Sequence, residues 1–128
     1  MAGTKYDGNK LRLDLIPDET LIALGSVLTY GATKYEDENW RDGIKYKRVY
    51  GAMMRHITSW KMGEVNDPES GLPHLWHAIF GLSTLITYEA RPAEYREFDD
   101  IIKSPMEYKE LLAIAIKKAQ EYKDARKV

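Results

Sequence analysis

Apolar residues recur at helical spacing in three long stretches of the chain, and those stretches set its architecture. In the first, Leu21, Leu24, Val27 and Leu28 share a face, which predicts a helix over about 19–35 with Asp18 as N-cap and Glu19 in the first turn. Gly25 and Gly31 weaken it, because glycine costs a helix interior backbone entropy. In the second, Tyr46, Val49, Tyr50, Met53, Ile57 and Trp60 fall on one side of a helix predicted over about 46–62. The angular count puts His56 at the border of that face and Arg55 opposite it. The third stretch, about 73–90, opens on Pro73, which suits a first helical position. It is apolar nearly all round, with Leu75, Ile79, Leu82 and Ile86 on one face and Trp76 and Phe80 on another, the pattern of a helix at the buried centre of a domain. Its remaining face carries His74, His77, Ala78, Gly81, Thr84 and Tyr88. The two histidines, at i and i+3, point the same way, and the small residues beneath them leave room for a ligand.

Around these helices the pattern is looser. Residues 3–17 form a polar arm in which Leu11, Leu13 and Leu15 alternate, either as a short strand or as an extended segment laid across the helices. Residues 36–43 read as a loop, and Arg91-Pro92 ends the third helix. A last amphipathic helix, carrying Met106, Leu111, Leu112, Ile114, Ala115 and Ile116, starts near Ser104-Pro105 and runs to about 125. The tail Lys123-Asp124-Ala125-Arg126-Lys127 is charged and solvated. The fold class is all-α: a single domain over 1–128, a helical bundle of about four helices with an extended N-terminal arm. The broad apolar surfaces of helices two and three exceed what one short bundle covers, which predicts a homo-oligomer.

Composition narrows the partners. With 19 Lys and Arg against 20 Asp and Glu, interspersed, the chain has no excess of cations to neutralise a nucleic-acid polymer. A local basic pocket for one small anion remains open. The absence of cysteine excludes disulfides and thiolate metal sites. The N-terminus has no apolar h-region and no apolar run reaches membrane-spanning length, so no membrane partner is expected and the predicted location is cytoplasmic.

All three histidines fall between residues 56 and 77, and Glu64, Asp67 and Glu69 lie between His56 and His74. Read as a helix end, a turn and a helix start, this stretch brings imidazoles and carboxylates to one edge of a helical hairpin. Two roles are open to the set: a divalent metal or phosphate site, or histidines that cap and buttress the turn. Turn and capping chemistry accounts for Asp67 and Ser70. Glu69 is less well explained that way and is a candidate ligand or base. Lys5 and Lys10 on the arm either hold a phosphate or solubilise the tail. Tyr35 and Trp40 offer stacking faces for a base, Asn39 an amide edge and Lys34 a phosphate contact, although aromatic residues near loops also serve as core anchors. Arg55 is a surface charge or a phosphate clamp. Tyr88, Tyr95, Tyr108 and Tyr122 have no spacing that assigns them a role.

Four segments together resemble the N-terminal domain of phage and prophage dATP/dGTP diphosphohydrolases. They are Lys5 to Arg12 with Leu15-Ile16-Pro17; Val27 to Tyr35 with Asn39-Trp40; Arg55-His56 with Trp60; and Gly63-Glu64 through Asp67 to Ala78. The match covers about residues 5–90 and leaves out the last helix. It implies an all-helical fold like the MazG-type nucleoside triphosphate pyrophosphohydrolases, which cleave between the α and β phosphates with the help of metal ions. On that resemblance His56, His74 and His77 are candidate ligands for Mg²⁺ or Mn²⁺, and Glu64 and Glu69 are candidate catalytic carboxylates. Lys5, Lys10, Lys34 and Arg55 would neutralise phosphate, while Tyr35, Asn39 and Trp40 would hold the purine.

The helices are expected to carry neither of the Glu-x-x-Glu and Glu-x-x-Asp pairs that serve the MazG group as metal ligands. Where the second pair is expected the chain reads His74-x-x-His77. Two functions follow from different classes: metal-dependent hydrolysis of dGTP or dATP, and non-catalytic sequestration of a nucleotide signal of host defence. A purely structural helical module is a third.

Overall fold

The computed structural model describes residues 2–6 and 8–126. Asp7 of the arm and Lys127 of the charged tail lie outside the described residues. Three long helices appear where the periodicity places them: α1, Asp18–Lys34; α2, Tyr46–Lys61; and α3, His74–Ala90. A single turn, α4 (Pro92–Tyr95), and α5 (Tyr108–Arg126) follow, with 3₁₀ turns at Leu13–Leu15, Asn39–Asp42 and Arg96–Phe98. Among the described residues there is no strand, and Leu13–Leu15 form an exposed 3₁₀ turn.

Two helix starts differ by one residue from expectation. Pro17 occupies the N-cap of α1 and its carbonyl receives the N–H groups of Thr20 and Leu21; Asp18 sits inside the first turn, where its charge favours the helix dipole. Pro73 likewise stands at the N-cap of α3 and not inside it.

Helix α3 lies in the middle, with α2 and α1 both packed against it. The face it buries is the small and polar one, through His74, Ala78, Gly81, Thr84 and Tyr88. Its Leu75, Leu82 and Ile86 are exposed, the last at 68%. That reverses the simplest reading of an all-round apolar helix, and the cause is steric. A Cβ on Gly81 would stand 2.1 Å from Cγ of Met53, so α2 approaches α3 where α3 has no side chain. The small residues therefore receive a neighbouring helix and leave no ligand space beneath the histidines.

The core centres on three packed tyrosines. Tyr88, with no exposed surface, packs its ring 5.4 Å from Tyr46 and 4.4 Å from Tyr95, with Val49 and Met53 completing the cluster. The hydroxyls of Tyr88 and Tyr95 find main-chain partners in the loop after α1. Tyr88 donates to the Trp40 carbonyl at 2.5 Å and accepts from the Ile44 N–H at 3.1 Å, and Tyr95 donates to the Arg41 carbonyl at 2.8 Å. Burial pushes the Tyr88 phenol up to about 12, so it stays a neutral donor. Gly43 closes that loop at φ +103°, beneath the ring of Phe98, where a Cβ would not fit. No residue of α5 is buried; the helix begins three residues after the Ser104-Pro105 start read from sequence and does not join the bundle.

Candidate functional site

The connector between α2 and α3 is short and internally bonded. Val65 accepts from the His74 N–H and Leu72 accepts from the Asp67 N–H, both at 2.8 Å, around an isolated antiparallel bridge between Asn66 and Pro73. Asp67 Oδ2 accepts from the N–H and the hydroxyl of Ser70, at 3.3 and 3.0 Å, and Ser70 Oγ accepts from the Leu72 N–H. Gly71 supplies the positive φ, +75°, that the reversal requires. The turn chemistry expected of Asp67 and Ser70 is present, and it holds the start of α3 against the end of α2.

That clamp brings the three histidines together. His56 Nδ1 and His74 Nδ1 are 2.8 Å apart, and His74 Nε2 lies 2.7 Å from Glu64 Oε1. The rings of His56 and His77 stack at 4.6 Å with an 11° tilt. His77 Nε2 meets Ser70 Oγ at 2.7 Å, and Tyr30 of α1 contacts the ring edge-on.

Beside them opens a cleft of about 630 Å³. Its walls are the C-terminal half of α1, the loop through Trp40, the middle of α2, the connector and the first turns of α3. Lys34, Tyr35, Asn39 and Trp40 line one side, Arg55 and His56 another, and Glu64, Glu69, His74 and His77 a third. Lys5 and Lys10 are exposed on the arm and are not among the lining residues. Sequence reasoning missed Tyr30, Glu36, Glu38, Ser59, Asp67 and Phe80 as lining residues. Tyr30 stands one helical turn before Lys34, a spacing that places both on one face of α1.

The family described as dATP/dGTP diphosphohydrolase, N-terminal, matches residues 1–100, a stretch that contains every wall of this cleft. The chain belongs to that family. A dATP/dGTP diphosphohydrolase of Salmonella phage PMBT28 is 37% identical over 82 residues, 64% of this chain and 28% of the relative. The chain thus matches under a third of that protein's length. No solved structure matches.

In this family member the donor atoms of the histidines are largely committed. Both nitrogens of His74, Nδ1 of His56 and Nε2 of His77 already have partners. Among the described residues no three His, Asp or Glu side chains are grouped to hold a metal ion. The histidine trio as arranged does not fit a metal centre. Against the expectation, carboxylate pairs at the MazG spacing do occur: Glu94/Glu97, Glu97/Asp100, Glu107/Glu110 and Glu121/Asp124 lie away from the cleft, while Glu64/Asp67 lines it from the connector and not from a helix.

Electrostatics follow burial. Desolvation pushes His56 and His77 below their ordinary value of 6.5; for His56 the other two histidines add to the shift, and for His77 the nearby Asp67 opposes it. Both rings are therefore neutral at neutral pH. Burial raises the Asp67 carboxyl, but the hydrogen bonds from Ser70 and the Glu69 N–H outweigh it and hold the group below 3.8. At the mouth, Lys34 pairs with Glu69, which lifts the lysine above its usual range. The indole Nε1 of Trp40 is buried with no hydrogen-bond partner among the described residues. Among those residues, no helix is long and apolar enough to cross a membrane.

Proposed function

We propose that the cleft binds a purine deoxynucleoside triphosphate, dGTP or dATP, and that the protein hydrolyses it to monophosphate and pyrophosphate. One observation carries this reading: a single cleft gathers cationic, aromatic, imidazole and carboxylate groups in its lining. Its volume falls in the range of small-molecule sites. Lys34 and Arg55 neutralise phosphate, and Tyr35 and Trp40 offer faces to the purine. The Asn39 amide supplies an edge contact. Lys34, paired with Glu69 at the mouth, exchanges that partner for a phosphate oxygen when the triphosphate enters.

A divalent ion, Mg²⁺ or Mn²⁺, belongs to this reading as the companion of the triphosphate, carried on phosphate oxygens and not on the histidines. When bound it supplies charge neutralisation to the phosphates. The reading places the protein in phage nucleotide metabolism, in the cytoplasm of a bacterial host. It also includes a homo-oligomer, supported by exposed Leu75, Leu82 and Ile86 on α3 and by the wholly exposed α5.

The test is ³¹P NMR of dGTP and dATP incubated with the protein and Mg²⁺ or Mn²⁺. Paired appearance of the monophosphate and pyrophosphate supports the proposal, and release of orthophosphate contradicts it. The committed histidine nitrogens favour a second reading, a non-catalytic binder that sequesters a nucleotide. Recovery of unchanged nucleotide from heat-denatured protein that shows no turnover supports that one.

A further inference from the structure

The hydrogen bonds of the histidines run in one direction. Glu64, as a carboxylate, can only accept, so the 2.7 Å contact fixes the proton of His74 on Nε2. A neutral His74 then has a lone pair on Nδ1. The 2.8 Å contact between the two Nδ1 atoms requires one donor and one acceptor, so His56 carries its proton on Nδ1. Its Nε2 is left with a lone pair, on a ring that lines the cleft, and no hydrogen bond among the described residues engages that atom.

We propose that Glu64, His74 and His56 form a proton relay in which the Nε2 lone pair of His56 is the proton acceptor for hydrolysis. His56 is then the catalytic residue, while His74 and Glu64 are positioning residues that act through it. This use of the relay rests on the hydrolase reading above; the direction of its hydrogen bonds does not.

The step balances within the chain. A water oxygen forms a bond to the α phosphorus while one water proton passes to His56 Nε2. The Nδ1 proton of His56 moves to His74 Nδ1, which leaves His74 with protons on both nitrogens and a positive charge. The bond from the α phosphorus to its bridging oxygen breaks, and pyrophosphate departs with the electron pair. The charge thus comes to rest on His74, a ring only 4% exposed and in contact with the Glu64 carboxylate. That is a better place for it than His56, which faces Arg55 on its own helix and His77 from α3. Asp67 from the connector also faces His56 and favours its charged form, while Lys34 and Glu69 at the mouth nearly cancel as a pair. The neutral His77 stacked on His56 keeps the acceptor ring in plane without adding a charge.

Two measurements test the relay. The first is ¹⁵N NMR of the imidazoles in the full chain near pH 7.5 without nucleotide. Protons on His56 Nδ1 and His74 Nε2 are expected; a proton on His56 Nε2 overturns the relay whether or not the protein hydrolyses anything. The second is the pH profile of dGTP hydrolysis. His56→Asn is expected to lower kcat by about 10²- to 10⁴-fold, the range of a general base. Glu64→Gln keeps a hydrogen-bonding partner for His74 but removes its charge. It is expected to lower kcat, to leave KM within about twofold, and to move the acid limb to lower pH. An unmoved limb, or a loss confined to KM, assigns Glu64 a structural role and overturns the proposal. The expected protonation pattern in a wild type that releases no pyrophosphate overturns the hydrolase reading and the base together, which separates that failure from a failure of the relay itself.

Discussion

The hydroxyl of Tyr88 on α3 donates to the main-chain carbonyl of Trp40, so the centre of the core holds the loop that walls the cleft. The same oxygen accepts from Ile44. Tyr88→Phe keeps the ring stack and strands both main-chain groups. It is expected to cost about 1–3 kcal/mol in urea unfolding, the range for leaving buried polar groups unpaired. It is also expected to weaken nucleotide binding by freeing the Trp40 turn. Unchanged binding together with lowered stability would show that the loop is placed by other contacts.

The approach of α2 to α3 at Gly81 leaves no room for a methyl group beside Met53. Gly81→Ala is expected to destabilise by about 1–3 kcal/mol, the usual cost of overpacking. Because the obstructing atoms belong to Met53, the double variant with Met53→Ala is expected to lose less than the sum of the two single losses. Strict additivity in the thermal or urea melts would show that the two positions are not coupled.

Much of this fold was legible in the sequence, and the reasons for the rest are physical. Periodicity located α1, α2 and α3 because each has a repeating apolar face. It failed to orient α3, since a helix apolar nearly all round has little contrast between faces, and the buried face was chosen by the close approach at Gly81. Tyr88 and Tyr95 showed no spacing because their partners are main-chain carbonyls far away in sequence, at Trp40 and Arg41. The concentration of histidines and acids did announce the cleft. What it could not give was the pairing of ring nitrogens, which depends on rotamers set by the connector, and this pairing turns a metal-ligand composition into a hydrogen-bonded chain.

Acid is expected to destabilise the protein through His56 and His77. Both have folded values depressed below 6.5, mainly by burial. Below pH 6.5 the unfolded chain takes up protons that the folded one refuses, so stability rises with pH in that window. Their contribution is present in full above pH 6.5 and is lost as pH falls through the depressed folded values. Melting temperatures recorded between pH 7.5 and 5 should fall, and His77→Asn should flatten the slope. A flat profile in the wild type would contradict the burial of the two rings.

Lys34 and Glu69 are both exposed enough that their ion pair contributes little to stability. Lys34→Ala is therefore expected to leave the melting temperature within about 4 °C, since exposed pairs contribute about 0–1 kcal/mol. Nucleotide affinity in calorimetry should nevertheless fall by about tenfold, the effect of losing one phosphate charge on the order of 1.4 kcal/mol. Unchanged affinity would remove Lys34 from the site.

The exposed apolar side chains of α3 predict association. Sedimentation at micromolar concentration should give at least twice the mass of one chain, and Leu82→Asp with Ile86→Asp should reduce it. A wild-type monomer would contradict this part of the account.

The claim on which the rest depends is that one cleft receives the whole nucleotide. A crystal of the protein with a non-hydrolysable dGTP analogue and Mn²⁺ tests it most directly. The account predicts the purine between Tyr35 and Trp40, the phosphates toward Lys34 and Arg55, and His56 Nε2 facing the α phosphate. Nucleotide seated elsewhere, or a cleft that stays empty at saturating analogue, would contradict it.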